Sequence, residues 1–442
     1  MKGMFTLYYM NLSPYRNLIV GVDEKVPIYN GNYVTSINFD NAATTPPFIT
    51  VMDAVNNFSP WYSSIHRGTG YKSEFSSNTY ENCRKIVLQF VNADLEEDTA
   101  IFVKNTTEAI NLLCCSLWDN DKDLTILTTK MEHHSNDLPW RNRFKVIYAE
   151  VDRFGRLKLE DLEDKLKKNK DIKLVSITGA SNVTGCINPV HKIAKLAHSY
   201  GAKILVDGAQ LIPHKPFSMK GDNEDEKIDF SAFSAHKMYA PFGTGVLIGP
   251  KEVFQYNEPH YRGGGTVKIV TDDYVMWDNA PNRFEAGTPN IIGAVALAAS
   301  IKTLNSLGMN NISNYEDYLL NYASNKLKSI NGIELIDVSH NSDKVSIIPF
   351  NIKGIHHSVI AGILSDKAGI AVRSGCFCAQ PYVQRLLTIP KEKIEQYKKN
   401  PDDKKPGFVR LSFGLYNDIN EIDRLVKVLQ YIISHKELYD DI

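Results

Sequence analysis

The sequence predicts an α/β protein: a large unit on a mostly parallel, seven-stranded sheet, then a smaller α+β unit. Two observations predict it. Short apolar, β-branched runs alternate with helix-period stretches through the first two thirds of the chain. That alternation is the mark of a parallel sheet with helices on both faces. After Gly293 the pattern changes to long helices, hairpin-like strands and a closing helix.

Strands are expected at 99–103, 124–128, 145–151, 174–178, 203–206, 230–233 and 245–249, each a short run too brief for a buried helix and rich in Ile, Leu, Val or Phe. Helical periodicity places helices between them at 107–117, 159–168 and 189–200. Further on, helices are expected at 294–307, 315–329 and 420–434. The division that follows is an N-terminal segment over 1–35 packing on the small unit, a large unit over 36–295, and a small unit over 296–442. Charged stretches at 165–173, 221–227 and 391–405 read as solvated loops or helix faces.

Composition excludes several classes. Fifty Lys and Arg against 51 Asp and Glu leave a net charge of −1 over 442 residues. Such a balance offers no electrostatic footprint for sequence-blind nucleic-acid binding. With 43% hydrophobic and 23% charged residues the chain is globular rather than disordered. Six cysteines are too few for a disulfide scaffold and point to a reducing compartment. No window approaches the ~18 apolar residues of a membrane span, and residues 1–22 lack a signal-peptide core. The expectation is a cytoplasmic protein with no membrane and no nucleic-acid partner.

Four segments carry chemistry. Asn105-Thr106-Thr107-Glu108-Ala109 opens a helix after a strand; free N–H groups and two hydroxyls there suit an anion, and the same residues also read as a plain N-cap with a capping-box glutamate. Asp207 closes a buried strand at the sheet edge where α/β proteins bind ligands. A buried carboxylate needs a cation or donors, and a protonated pyridine nitrogen would serve; a helix N-cap is the alternative. Ser234-Ala235-His236-Lys237 ends another strand beside Gly243-Thr244-Gly245. A desolvated lysine there can carry a Schiff base, with Ser234 and His236 as phosphate ligands, or it can be an ordinary exposed lysine. Last, Arg373-Ser374-Gly375-Cys376-Phe377-Cys378-Ala379-Gln380-Pro381 is a small-residue loop with two thiols. A cation near a thiol favours the nucleophilic thiolate. Zinc is disfavoured because no second cysteine pair stands at ligand spacing. Phosphate site, pyridinium partner, Schiff-base lysine and loop thiol, in this order, together indicate pyridoxal phosphate chemistry.

The order and wording of the motifs resemble the class V, fold-type I pyridoxal-phosphate enzymes, and within them the group II cysteine desulfurases and selenocysteine lyases. The similarity runs from about Asn38 to Leu429. Its motifs are Phe39-Asp40-Asn41-Ala42-Ala43-Thr44-Thr45-Pro46, His66-Arg67-Gly68, the Asn105 segment, Glu132-His133-His134-Ser135-Asn136 and Ser181-Asn182-Val183-Thr184-Gly185. They continue with Asp207-Gly208-Ala209-Gln210, Ser234 to Lys237, Arg283 to Asn290, the Cys378 loop and Arg410-Leu411-Ser412.

The resemblance implies a role for each position. Lys237 is the implied Schiff-base lysine and proton shuttle, Asp207 the pyridine-nitrogen partner, Gln210 the partner of the phenolic oxygen. Asn182 belongs near that edge or the substrate, and His133 stacks on the ring. Thr106, Thr107, Ser234 and His236 surround the phosphate, which Gly287 and Thr288 reach from a neighbouring subunit; the resemblance thus implies a homodimer. His66 and Arg67 lie at the shared mouth. Arg410, with Arg373 nearby, receives the substrate carboxylate, a bidentate task lysine does poorly. Cys378 is the implied nucleophile: L-cysteine becomes L-alanine, a persulfide forms on Cys378, and an acceptor protein takes the sulfur, for iron–sulfur assembly or another pathway. Selenocysteine lyases, aminotransferases, epimerases and molybdenum-cofactor sulfurases share the scaffold, and a cofactor-binding assembly partner without turnover is a further reading.

Two departures from the group II pattern stand out. Cys376 and Phe377 occupy positions that commonly hold His-His. If the loop is extended, Cys376 and Cys378 face the same side, with Cys376 as a packing or resolving thiol. The stretch 391–405, longer than the pattern, is expected to be an amphipathic helix and turn shaping an acceptor surface.

Overall fold

The computed structural model describes residues 12–120, 123–255, 258–336 and 343–438. Residues 1–11 of the expected N-terminal segment lie outside the described residues.

All seven expected strands of the large sheet are present: β1 (Asp98–Val103), β2 (Thr125–Thr129), β3 (Lys145–Ala149), β4 (Ile172–Thr178), β5 (Lys203–Asp207), β6 (Phe230–Ser234) and β7 (Gly245–Pro250). Their order across the sheet is β1-β7-β6-β5-β4-β2-β3. Only β7 runs against the rest, pairing antiparallel with β1 and β6, while β6, β5, β4, β2 and β3 pair in parallel. Most residues of β2, β4, β5 and β6 are buried, which is why these strands show no apolar–charged alternation and carry small Thr and Ser among their apolar residues. Helices such as Thr106–Asn120, Leu159–Lys168 and Val190–Ser199 cover the sheet.

One glycine decides how the sheet meets the first of these helices. A Cβ on Gly245, at the start of β7, would stand 2.6 Å from the Cα of Asn105. Only glycine lets the strand pass under the backbone that opens helix Thr106–Asn120.

The smaller unit has a four-stranded antiparallel sheet in the order β8-β9-β11-β10, formed by β8 (Ile333–Leu335), β9 (Ile347–Ile352), β10 (Arg373–Gly375) and β11 (Phe408–Ser412). Leu319, Ile360, Leu364, Leu425 and Leu429, from helices Met309–Lys328, His357–Ala368 and Ile419–Ser434, share its core with Phe350, Val409 and Leu411. Helix Ile419–Ser434 opens on a capping box between Asp418 and Glu421.

A short segment ties the two units. Ile37–Asn38 pairs in parallel with Ile370–Ala371, and Ser412 donates its N–H to the carbonyl of Phe39 at 2.7 Å. Seven residues past Asn38, Thr45 donates its N–H to the carbonyl of His236 at 2.9 Å. Residues 37–45 therefore run from the sheet that holds Arg410 to the turn that holds Lys237. Before them, Ser13 Oγ donates to the Leu415 carbonyl at 2.6 Å and Arg16 pairs with Glu421 at 2.8 Å. Among the described residues no single helix is long and apolar enough to cross a membrane.

Candidate active site

The C-terminal ends of β1, β2, β4, β5 and β6 open on one side of the large sheet, and a cavity of about 290 Å³ lies there. Its walls hold every residue to which the resemblance gives a cofactor, substrate or nucleophile role, except His66, Arg67, Gly287 and Thr288. Those four meet instead around a second cavity of about 340 Å³ with Gly264, Asp278 and Asn282.

Hydroxyls gather where β1 gives way to helix Thr106–Asn120. Thr106 donates its N–H to Ser234 Oγ at 2.8 Å, and the two hydroxyls are 2.6 Å apart. Thr107 Oγ1 lies 2.6 Å from Ser135 Oγ. Asn105 caps the helix through Glu108 N–H at 3.0 Å, while Glu108 reaches back to the Lys104 N–H at 2.6 Å. The capping and anion readings thus coexist: Asn105 and Glu108 serve the cap, leaving the Thr106, Thr107, Ser135 and Ser234 hydroxyls facing the cavity at a helix N-terminus.

Opposite charges stand at the cavity floor. Asp207, at the end of β5, is buried and accepts the Ala209 N–H at 3.0 Å. Burial pushes its carboxyl above the ordinary range, the Ala209 bond and Lys237 opposing. Lys237 closes the turn Ala235–Lys237 after β6, and burial lowers its amine to about 8 despite the charge on Asp207. His133 accepts the Ser135 N–H on Nδ1 at 3.1 Å, placing its proton on Nε2. Burial holds it neutral, lowering it to about 3, with Lys237 next in effect. His236 is likewise lowered to about 4 by burial, then by Lys237. Gln210 donates to the Ala42 carbonyl at 2.8 Å, but its buried Oε1 has no partner.

Arg373 and Arg410 are direct cross-strand neighbours on β10 and β11. Like charges in that register repel, and Asp40 resolves the conflict. Its Oδ1 accepts from Arg410 Nη2 at 3.0 Å and its Oδ2 faces Arg373 Nε at 3.1 Å. Arg410 Nη1 donates to the Asn182 carbonyl at 3.0 Å, and burial lowers the guanidinium to about 10. Its Nε is buried and without a partner.

The cysteine loop corrects one expectation. Residues 376–379 are not extended: Phe377 and Cys378 both adopt left-handed backbone, φ 51° and 54°, so the chain turns sharply. Alternation fails because a turn, not a strand, separates the thiols. Cys378 is exposed and lines the main cavity; Cys376 is half-buried and lines a cavity on the other side, under helix Lys391–Lys399, with its Sγ 3.6 Å from the Pro406 carbonyl. Burial raises the Cys376 thiol.

Sequence reasoning gave no role to Asp40 or Ser135, and none to the buried frame beneath His133. There Glu132 accepts from Thr129 Oγ1 at 2.5 Å and from Asn136 at 2.7 Å, and burial raises its carboxyl to about 8. Asn136 in turn accepts from Trp140 and Ser176. The Glu132-to-Asn136 motif was visible; which members face the cavity was not.

These features define an α/β scaffold of the fold-type I class, with a hydroxyl cradle, a buried carboxylate and a desolvated lysine around one cleft. A family model described as "Aminotransferase class-V" matches residues 37–425. The chain is similar to a probable cysteine desulfurase of Halalkalibacterium halodurans, 35% identical over 95% of this chain and 98% of that one. It is also similar to a cysteine desulfurase of Haloferax volcanii, 33% identical over 93% and 92% of the two. Among solved structures, an apo cysteine desulfurase from Thermococcus onnurineus superposes with a TM-score of 0.80 at 33% identity, covering 90% of this chain and 95% of that one. The chain belongs to the class V aminotransferase family, in its cysteine desulfurase (NifS-like) branch. At the level of that family it is a sulfur-transferring enzyme that uses pyridoxal phosphate.

The cleft fits that cofactor on its own evidence. Asp207 is a buried carboxylate with a single N–H donor and no bonded cation, which a pyridinium would neutralise. Gln210 keeps an unpartnered polar atom in the wall, and the hydroxyls at the helix N-terminus suit a phosphate.

Proposed function

We propose that this protein converts L-cysteine to L-alanine and carries the released sulfur as a persulfide on Cys378. The observation that carries the reading is an exposed thiol in one cleft with a desolvated lysine and an arginine whose Nε is buried and free. Thr106, Thr107, Ser234 and His236 hold the cofactor phosphate, Asp207 pairs with its ring nitrogen, Gln210 with its phenolic oxygen, and neutral His133 lies on its face. When bound, pyridoxal phosphate supplies an electron sink for the substrate carbon. Arg410 receives the substrate carboxylate, with Arg373 and Asn182 beside it.

Lys237 moves the Cα proton, a task suited to an amine lowered to about 8. Cys378, as thiolate, attacks the substrate sulfur. The new S–S bond forms as the substrate's C–S bond breaks, and the electron pair left on carbon takes a proton to complete alanine. The sulfur then passes to an acceptor protein. The large unit over 36–295 works as the cofactor holder, and the unit over 296–442 brings Cys378 and Arg410 to it. Gly287, Thr288, His66 and Arg67 serve the neighbouring subunit's site in a homodimer.

Cys378→Ala tests the reading: alanine formation from cysteine is expected to vanish, by roughly a thousandfold or more, the scale for loss of a nucleophile. An unchanged rate excludes it. Relative rates on cysteine and selenocysteine decide between desulfurase and selenocysteine lyase.

A further inference from the structure

We infer that Phe377, the residue before the thiol, is a positioning residue that couples the carboxylate-binding Arg410 to the placement of Cys378. The inference rests on the function proposed above. It starts from a closed set of contacts. The Arg410 guanidinium carbon lies 4.9 Å from the centre of the Phe377 ring. Arg410 Nη1 donates to the carbonyl of Asn182 at 3.0 Å, and the Asn182 side chain donates to the carbonyl of Phe377 at 2.7 Å. Arg410, Asn182 and Phe377 thus form a triangle with a ring–cation contact as one side. Phe377 is 9% exposed and packed with Met131, Val183 and Phe408, so the cation meets its ring where water competes little.

The triangle ends one residue from the thiol. Phe377 and Cys378 are consecutive left-handed residues, a costly arrangement for two side chains with a Cβ. It is pinned by the Asn182 bond to the Phe377 carbonyl and by the His134 N–H on the Cys378 carbonyl at 2.7 Å. Arg410 lines the cavity a carboxylate would enter, and its buried Nε has no partner that fixes the guanidinium from that side. Any adjustment of the guanidinium then bears on the ring of Phe377, and through its backbone on the direction of Cys378. A residue of another shape would hold the loop; a flat π face holds the cation as well.

The test uses the holoenzyme and two readouts. L-Alanine affinity, followed by the absorbance of the bound cofactor, reports the Arg410 site. Single-turnover transfer of sulfur from cysteine onto Cys378, followed by mass spectrometry, reports the thiol. Phe377→Leu and Phe377→Met keep an apolar side chain and remove the π face. Both are expected to weaken alanine binding about fivefold, the scale of one partly buried ring–cation contact. They are expected to slow sulfur loading by roughly tenfold or more, as misplacement of a reacting atom does. Phe377→Tyr, which keeps the ring, stays near wild type in both. If either readout stays at the wild-type value in the Leu and Met variants, the coupling is wrong. A wild-type protein that binds alanine but loads no sulfur overturns the proposed function, a result separate from variants that keep pace with a working wild type.

Discussion

At the residue scale, the cleft works by contrasts in solvation. Lys237, Asp207 and Arg410 each carry or lose charge in surroundings that penalise it. The neutral form of Lys237 is the one that reacts with an aldehyde. Its amine is lowered to about 8, so uptake of pyridoxal phosphate by the apoprotein is expected to rise with pH up to about 8 and level off above it. Stopped-flow absorbance checks this; a rise continuing to the ordinary lysine range of about 10.4 contradicts it. Asp40 matters for a different reason. Its carboxylate stands between two facing arginines, and Asp40→Asn leaves buried Arg410 without that ionic partner. About 2–4 kcal/mol of stability should be lost, less than for a fully buried pair because Asp40 keeps some exposure. Chemical denaturation measures it. Asp40 was legible as part of a motif, but its partners stand some 330 and 370 residues away, and only the fold shows that one carboxylate serves both.

At the element scale, strands and helices of the large unit were legible because burial writes itself into composition. β2, β4, β5 and β6 are buried almost end to end, and they are built from apolar residues with small Thr and Ser between them and few charges. Boundaries moved where caps decide them: helix Met309–Lys328 follows its N-cap Gly308 and begins six residues before the expected start, because Asn310, Asn311 and Ser313 hide its periodicity. The cysteine loop was misread for a stronger reason. No propensity signals two left-handed residues in a row when neither is glycine; the bonds to Asn182 and His134 impose them. The 391–405 stretch became helix Lys391–Lys399 and a turn, and no residue of the helix is buried. Its removal, with the ends rejoined, is expected to leave alanine formation within about threefold, as for other exposed segments. Transfer of sulfur to the acceptor protein should fall further than that. Equal loss of both steps marks the helix as structural only.

At the scale of the whole molecule, a chain with net charge −1 still places basic side chains in its two clefts. Arg373, Arg410 and Lys237 line one cleft, and His66 and Arg67 line another. In the homodimer proposed above, the second cleft, with Gly287 and Thr288, would complete the partner subunit's site. Subunit mixing tests that arrangement. Lys237→Ala disables its own site, and Thr288→Glu sets a negative charge against the partner's phosphate. Mixed dimers of the two keep one intact site, so activity should return to roughly a quarter of wild type under random pairing. No recovery on mixing rules the shared site out.

The central claim concerns a sulfur atom on Cys378, and one measurement reaches it most directly. The holoenzyme is incubated with L-cysteine, its thiols are capped, and its peptides are weighed. One extra sulfur on the Cys378 peptide, with alanine released in equal amount, is the result predicted here. A Cys376–Cys378 disulfide, or alanine released with no sulfur on Cys378, would contradict it.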